Sequence, residues 1–253
     1  MGAHDTGLFP ADAIVRRVDA EGVLLLGGGR ALLMQLAHPD VAAGVADHSD
    51  FSSDPFARLR RTLDATFTIV FGTVAQAEAT AAALRSVHDR VVGPGYAAND
   101  PELLLWVHAT LIDTALRIHN RFLRPLRPDE AERYYDESMT IAEVIGIPRS
   151  AQPPDLTAFR AYVRDMVGSL EVTDTARRLA RDILHPRVPL GLALEPALVV
   201  GRQLTVGLLP APLRAGYRLS WDRPRQAALV LAGVASRQVL PRVPAVLRRV
   251  PAA

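Results

Sequence analysis

The chain contains no cysteine and no lysine, and these two absences exclude several kinds of chemistry. Without thiols there is no disulfide framework, no thiolate metal site and no cysteine nucleophile. Without a lysine amine there is no Schiff base and no P-loop lysine. Catalysis by this chain therefore depends on histidine, carboxylates, hydroxyls, arginine or a bound cofactor.

Net charge is also nearly absent, although the isoelectric point is about 9.4. All 29 basic residues are arginine, they face 27 acidic residues, and the formal net charge is +2. The isoelectric point is high because a guanidinium stays protonated where a lysine would lose its proton. So small a net charge attracts a polyanion weakly, and we expect no nucleic-acid partner.

Long uncharged hydrophobic runs are missing. The most apolar stretch, 188–213, contains Glu195, Arg202 and several prolines, so it fails the criterion of roughly 18 uninterrupted apolar residues for a spanning helix. The first ten residues lack the basic start of a secretory signal. We therefore expect a cytoplasmic protein without a transmembrane segment. Peripheral contact with a membrane stays open.

The sequence is rich in signals that start and stop helices. Asp54-Pro55 and Asp100-Pro101 each combine an N-cap with proline at the first helical position, Thr73 is a third N-cap, and Gly146 is a stop. No long stretch alternates apolar and polar residues as a strand does. With 253 residues, 49% of them hydrophobic, we predict an all-α single domain, 1–253, of about ten helices. The proline-rich segment 148–154 is its one candidate internal boundary.

The helix after Asp54 places Arg58, Arg61 and Thr62 on one face, at spacings of three and four residues. This face turns apolar one turn later, which predicts that it points inward. Inward arginines need an anionic partner, because an unpaired buried charge is costly. That partner is either a bound anion or cofactor carboxylate, or nearby acids such as Asp47 and Asp50.

On the next helix, His88 continues a stripe of Ala77, Ala81 and Leu84. The stripe has two interpretations: a core histidine bonded to a carbonyl, or an axial ligand beside a flat cofactor that the small alanines leave room for.

His38 and His108 have similar alternatives. His38 ends a helix, where a histidine interacts favourably with the helix dipole. His108 lies on an apolar helix face and is either a core residue or a site residue. No histidine pair has the spacing of a helical zinc site.

The run Gly27-Gly28-Gly29 lacks the spacing of a phosphate loop, so we interpret it as a close helix contact or a helix break.

Several segments, in their order and spacing, resemble the MpaB-type oxygenase family, which includes the catalytic domain of the rubber oxygenases called latex clearing proteins. The likeness continues through 208–214 to the region of Pro241, so it covers most of the chain. The segments are LMQLAHP (33–39), HSDF (48–51), RLRRT (58–62), FGT (71–73), VHDRVVG (87–93) and LWVH (105–108).

The resemblance implies an all-α fold that holds haem b, with dioxygen activated at the iron. It implies that His88 is the proximal iron ligand and that Arg58, Arg61 and Thr62 form the distal face. Apart from the resemblance, His108 is our next candidate ligand if His88 does not bind the iron. The substrate would be a hydrophobic small molecule that is oxidised or cleaved at a C=C bond.

The chain departs from the family pattern at two points. Arg61 stands where the rubber oxygenases have a lysine able to bind iron. A guanidinium cannot bind iron, so we expect an open or water-bound sixth position and hydrogen bonds from Arg61. The family's distal glutamate has no equivalent that we can place, and His38 is our substitute for it.

Two other functions compete with a haem-dependent oxygenase. The first is a non-catalytic all-α protein that binds haem or a lipid in the same pocket. The second is a partner-binding helical protein whose basic tail, with Arg242, Arg248 and Arg249, meets an acidic surface.

Overall fold

Thirteen α-helices and one two-stranded hairpin form the part of the chain that the computed structural model describes, residues 6–48, 55–186 and 191–250, with side chains described outside 55–59 and 191–194. The all-α class is confirmed, with three helices more than expected. The helices are α1 (Ile14–Asp19), α2 (Gly28–Leu36), α3 (Pro39–His48), α4 (Pro55–Phe71), α5 (Val74–His88), α6 (Pro101–Ile118), α7 (Pro128–Ile145), α8 (Leu156–Ser169), α9 (Asp174–Leu184), α10 (Gly191–Leu208), α11 (Ala211–Gly216), α12 (Arg223–Val239) and α13 (Ala245–Arg248).

Shorter segments join the helices. The antiparallel strands β1 (Val92–Gly93) and β2 (Tyr96–Ala97) pair with Val92 opposite Ala97. Three 3-10 segments span Gly22–Gly27, Arg149–Ala151 and Leu240–Arg242, and a π-helical turn covers His119–Leu123 after α6.

Local sequence signals account for several helix ends. Thr73 and Gln76 form a reciprocal capping box at the start of α5. The Asp100 side chain accepts a hydrogen bond from the N–H of Glu102 at the start of α6, and Gly146, with a φ of 109°, ends α7. The predicted Asp54 cap lies outside the described residues. The helix that Thr73 caps ends at His88, and residues 92–97 form the hairpin.

Helix α6 runs through the centre of the molecule. Trp106 is fully buried, and its indole N–H donates to the carbonyl of Met34 in α2 at 3.2 Å. Tyr217 donates to the carbonyl of Leu33 at 2.6 Å. One cluster of buried apolar side chains extends from Phe9 to Tyr217, so sequence-distant segments share a core.

The candidate boundary at 148–154 lies against α7. The Tyr135 hydroxyl donates to the carbonyl of Pro153 at 2.7 Å, and the Gln152 amide donates to the carbonyl of Met139 at 3.2 Å. Helices α7 and α8 pack on each other on either side of this segment. The segment is therefore anchored to the core and does not have the contacts of a free linker.

The glycine run allows close helix contacts, which is the first of the two interpretations of its sequence. A Cβ at Gly27 would lie 2.5 Å from Cγ2 of Thr114 in α6, and one at Gly29 would collide with Thr205 in α10. Only glycine lets the start of α2 approach both helices.

In the described chain no helix combines the length and apolarity needed to cross a bilayer.

The fully buried Arg30 joins the same three helices. Its guanidinium pairs with Asp113 of α6 at 2.5 Å, donates to the hydroxyl of Thr114, and donates through Nε to the carbonyl of Leu208 in α10 at 2.8 Å. Burial lowers the pKa of Arg30, and the Asp113 carboxylate opposes this shift. The buried charge is therefore tolerated because its polar partners replace water.

We expect Asp113→Ala to lower the free energy of unfolding by about 3–5 kcal/mol, because it leaves the Arg30 charge buried without its counter-ion. Urea unfolding followed by circular dichroism measures the change. Asp129→Ala is the matched control: it also breaks an arginine–aspartate pair, with Arg127, but that pair is exposed, so little change is expected. Equal losses in both variants would contradict a structural role for the buried pair.

Candidate functional site

The candidate site is a largely apolar cavity of about 110 Å³ between α2, α4, α6 and α7. The 3-10 segment Gly22–Gly27 and Val250, near the end of the chain, complete its wall. Its apolar lining consists of Leu24, Leu25, Ala31, Leu63, Phe67, Leu111, Ile112, Ala115, Ile141 and Val250. A wall of this kind excludes water and suits a hydrophobic ligand.

His108 of α6 is the imidazole in this wall. Its ring is buried, and its Nε2 lies 2.9 Å from the carbonyl oxygen of Ser138. Burial lowers the pKa of His108 to about 4, so the ring is neutral at pH 7. Because a carbonyl only accepts, Nε2 carries the proton and Nδ1 keeps its lone pair. A carbonyl partner that orients one ring nitrogen is common among metal-binding histidines.

Asp19 and Tyr134 form a second polar group in the wall. The Tyr134 hydroxyl donates to Oδ1 of Asp19 at 3.0 Å. Both side chains are buried, and burial raises the pKa of the Asp19 carboxyl to about 7. A carboxyl with this pKa can accept or release a proton at neutral pH. Sequence reasoning missed both residues, since an aspartate that closes a short helix and a tyrosine on a long one carry no local signal.

The C-terminal segment closes the cavity near Glu21. Both carboxylate oxygens of this buried residue are paired, one with Arg248 at 3.0 Å and the other with Arg249 at 3.5 Å. The N–H of Val250 donates to the carbonyl of Ala20 at 2.8 Å. The acidic partner of these two tail arginines is thus within the chain itself.

The predicted polar face of α4 is only partly directed inward. Thr62 lines the cavity together with Leu63, Thr66 and Phe67. Arg61 is exposed, so the inward orientation expected of it is not what the structure shows. The helix turns its hydroxyl and apolar positions to the cavity, and the guanidinium keeps its contact with water. The side chain of Arg58 lies outside the described residues.

His88 and His38 lie away from the lining of this cavity. The stripe on α5 does face inward, because Ala77 and Ala81 are fully buried and His88 is half-buried at the end of the helix. His38 lies between α2 and α3, where its Nδ1 accepts from the N–H of Asp40 at 3.3 Å. Burial lowers the pKa of His38. The roles predicted for these two histidines stay predictions.

Among the described residues, the wall of the cavity carries one imidazole, that of His108. The described residues contain no group of three or more histidine, aspartate or glutamate side chains that could hold a metal ion. A porphyrin supplies the in-plane ligands, so one neutral imidazole and an apolar wall suffice. The cavity volume is below the roughly 300–1,000 Å³ of small-molecule sites. A porphyrin does not fit into this cavity as it stands, and the lining does not include His88, the ligand that the resemblance implies.

Comparison with known proteins identifies the family. The family model described as "ER-bound oxygenase mpaB/B'/Rubber oxygenase, catalytic domain" matches residues 15–238. The chain belongs to this family. The resemblance inferred from the short motifs is confirmed, and it carries an oxygenase-type catalytic domain with it.

Two mycobacterial relatives are similar over most of their length. They are the uncharacterized proteins Rv2237 of Mycobacterium tuberculosis and Mb2261 of Mycobacterium bovis, each 27% identical over 207 residues, which is 77% of this chain and 80% of the relative. No solved structure matches the chain.

We expect Asp19→Asn to remove a pH dependence of stability. Burial in the folded state raises the pKa of Asp19. The contribution of Asp19 to the free energy of unfolding is therefore fully present below about pH 4. As the pH rises through 7, a contribution on the order of a few kcal/mol is lost. Unfolding of both proteins in urea between pH 4 and 8 measures the difference. His108, whose pKa is lowered, acts in the opposite sense, but it is present in both and cancels.

Asp64→Asn, which removes an exposed carboxylate on α4, is the control and should follow the parent chain at every pH. A parent chain and Asp19→Asn variant that differ by a constant amount would contradict the raised pKa.

Proposed function

We propose that this chain is a haem b-dependent oxygenase that oxidises a hydrophobic small molecule, with His88 as the axial ligand. Membership of the oxygenase family supports the proposed oxygenase activity. The assignment of the ligand rests on the family resemblance, and His88 continues the buried stripe of Ala77 and Ala81 at the end of α5. Bound haem would supply the redox chemistry that activates dioxygen.

The residues of the cavity have separate tasks in this proposal. The leucines, isoleucines and Phe67 hold the apolar substrate and exclude water. Thr62 on α4 lines the same space. Asp19, whose Oδ1 accepts a hydrogen bond from the Tyr134 hydroxyl, holds or releases a proton at its other carboxyl oxygen, Oδ2, near neutral pH. In this proposal Asp19 replaces His38 as the acid–base group, because Asp19 lines the cavity and His38 does not.

Both histidines remain testable as ligands. We expect His88→Ala to abolish haem retention, because it removes the axial imidazole. His108→Ala should keep haem bound, since its ring lines the wall without serving as the ligand in this proposal. The visible spectrum of protein from haem-supplemented cells, oxidised and then reduced, measures both. A normal Soret band in His88→Ala that is absent in His108→Ala would reverse the assignment.

The family resemblance assigns Arg61 a role as a hydrogen-bond donor beside bound haem, although its side chain is exposed on α4. We expect Arg61→Ala to retain haem and to lower substrate-dependent dioxygen uptake by at least about tenfold, as the loss of a donor to developing negative charge does. Its neighbour Arg60, also exposed on α4, provides the matched control. Equal uptake in Arg60→Ala and Arg61→Ala would remove Arg61 from the site.

The competing function, a protein that binds haem or a lipid without turnover, has its own signature. It predicts a Soret band but no consumption of dioxygen by the reduced protein in the presence of candidate alkenes. A colourless protein that also fails to bind added haemin would exclude haem chemistry and leave the apolar cavity as a lipid site.

A further inference from the structure

A second, larger pocket opens on the opposite side of α6 from the candidate site. It has a volume of about 550 Å³ and lies between α6, the π-helical turn, α8 and α12. Four arginines line it, Arg117, Arg121, Arg160 and Arg237, beside Asn120 and the apolar Leu116, Phe159 and Val230. Its volume is within the roughly 300–1,000 Å³ of small-molecule sites.

The pocket carries an excess of positive charge. Its single carboxylate, Asp113, is already paired with the buried Arg30 at 2.5 Å and lies 3.8 Å from Nε of Arg117. In the described parts of the chain, Arg121, Arg160 and Arg237 have no acidic side chain within ion-pair distance. Burial and the neighbouring charges of Arg117 and Arg237 lower the pKa of Arg121. Guanidiniums gathered without counter-ions are stabilised by a bound anion.

The backbone holds this cluster in place. Gly233 of α12 lies against the π-helical turn, and a Cβ there would lie 3.0 Å from Cγ and 3.1 Å from the carbonyl oxygen of Arg121. The Ser236 hydroxyl donates to the carbonyl of Phe122 at 2.7 Å. Single π-helical turns occur frequently at functional sites. The arginines from α6, the π turn and α12 are thus brought together by specific packing.

We propose that Arg117, Arg121, Arg160 and Arg237 bind the phosphate group of an anionic phospholipid. Guanidiniums are well matched to phosphate because their parallel N–H groups reach two oxygens at once. The proposal is independent of the cofactor and of the oxygenase reaction, since no residue of the pocket lines the cavity described above.

The surroundings of the pocket favour a lipid over a free phosphate compound. Val230 lines the pocket and is 45% exposed, while Leu231 and Val234 on the same helix are 67% and 43% exposed. Farther along, Val246 and Leu247 are 84% and 76% exposed. Exposed apolar side chains next to arginines are typical of a helix that lies in a bilayer interface.

Charge also argues against a second copy of the chain on this surface. Residues 223–250 contain six arginines and no acidic residue; Arg248 and Arg249 pair with Glu21 and Arg225 with Asp222, and Arg223, Arg237 and Arg242 carry the remaining positive charge. A two-fold interface would place this cationic segment against itself, whereas an anionic bilayer complements it. The bilayer is therefore the occupant that fits both the charge and the apolar side chains.

Vesicle co-sedimentation tests the proposal, with phosphatidylcholine alone and phosphatidylcholine mixed with phosphatidylglycerol. We expect binding only to the anionic vesicles. The variant Arg121→Gln/Arg237→Gln removes two charges from the pocket, and the control Arg223→Gln/Arg242→Gln removes two charges that lie outside it. We expect the first variant to weaken binding to anionic vesicles about tenfold more than the control does. Equal effects of the two variants, or no vesicle binding, would overturn the proposal.

Soluble phosphate compounds test whether the ligand is a phospholipid headgroup or a free phosphate compound. Calorimetric titration with pyrophosphate and glycerol 3-phosphate should show binding that Arg121→Gln/Arg237→Gln removes and Leu231→Ser leaves intact. Leu231→Ser should weaken only the binding to vesicles. Binding of soluble phosphates without any binding to vesicles would overturn the lipid assignment.

Discussion

The buried Arg30 is the residue on which the arrangement of both sites depends. Its guanidinium joins α2, α6 and α10 through Asp113, Thr114 and the carbonyl of Leu208. This contact positions α6, which carries His108 on the side of the apolar cavity and Arg117 on the side of the cationic pocket. It also occupies the carboxylate that would otherwise neutralise that pocket. One buried ion pair therefore stabilises the core and leaves a surface positively charged.

Burial in the apolar cavity shifts the pKa values of His108 and Asp19 in opposite directions. Burial keeps the His108 imidazole neutral and the Asp19 carboxyl close to half-protonated near pH 7. Both effects come from the same loss of water, because desolvation disfavours whichever form is charged. The cavity thus contains a base that stays unprotonated and an acid that exchanges its proton. Within the described part of the chain neither group has a partner of opposite charge, and each is held by a neutral neighbour instead, Ser138 or Tyr134.

The helices were predictable because their signals are local. Thr73, Asp100 and Gly146 act on backbone groups within a few residues, so their effects do not depend on the rest of the fold. The alanine and histidine stripe of α5 was predictable for the same reason, since a helical period decides which residues share a face. The orientation of Arg61 was not. It lies one position from Thr62, and only the packing of α4 against its neighbours decides which side of the helix meets solvent.

By itself the sequence determined the helical class, most helix ends, the glycine contacts at the start of α2 and the family, since each follows from residues that are near one another or from their order along the chain. Only the tertiary structure decided which groups meet: Asp19 with Tyr134 from 115 positions later, and Arg121 with Arg237. It also decided their ionisation, because the pKa of a carboxyl or an imidazole depends on the water removed by helices distant in sequence. Charges gathered from three helices have no signature in any one of them.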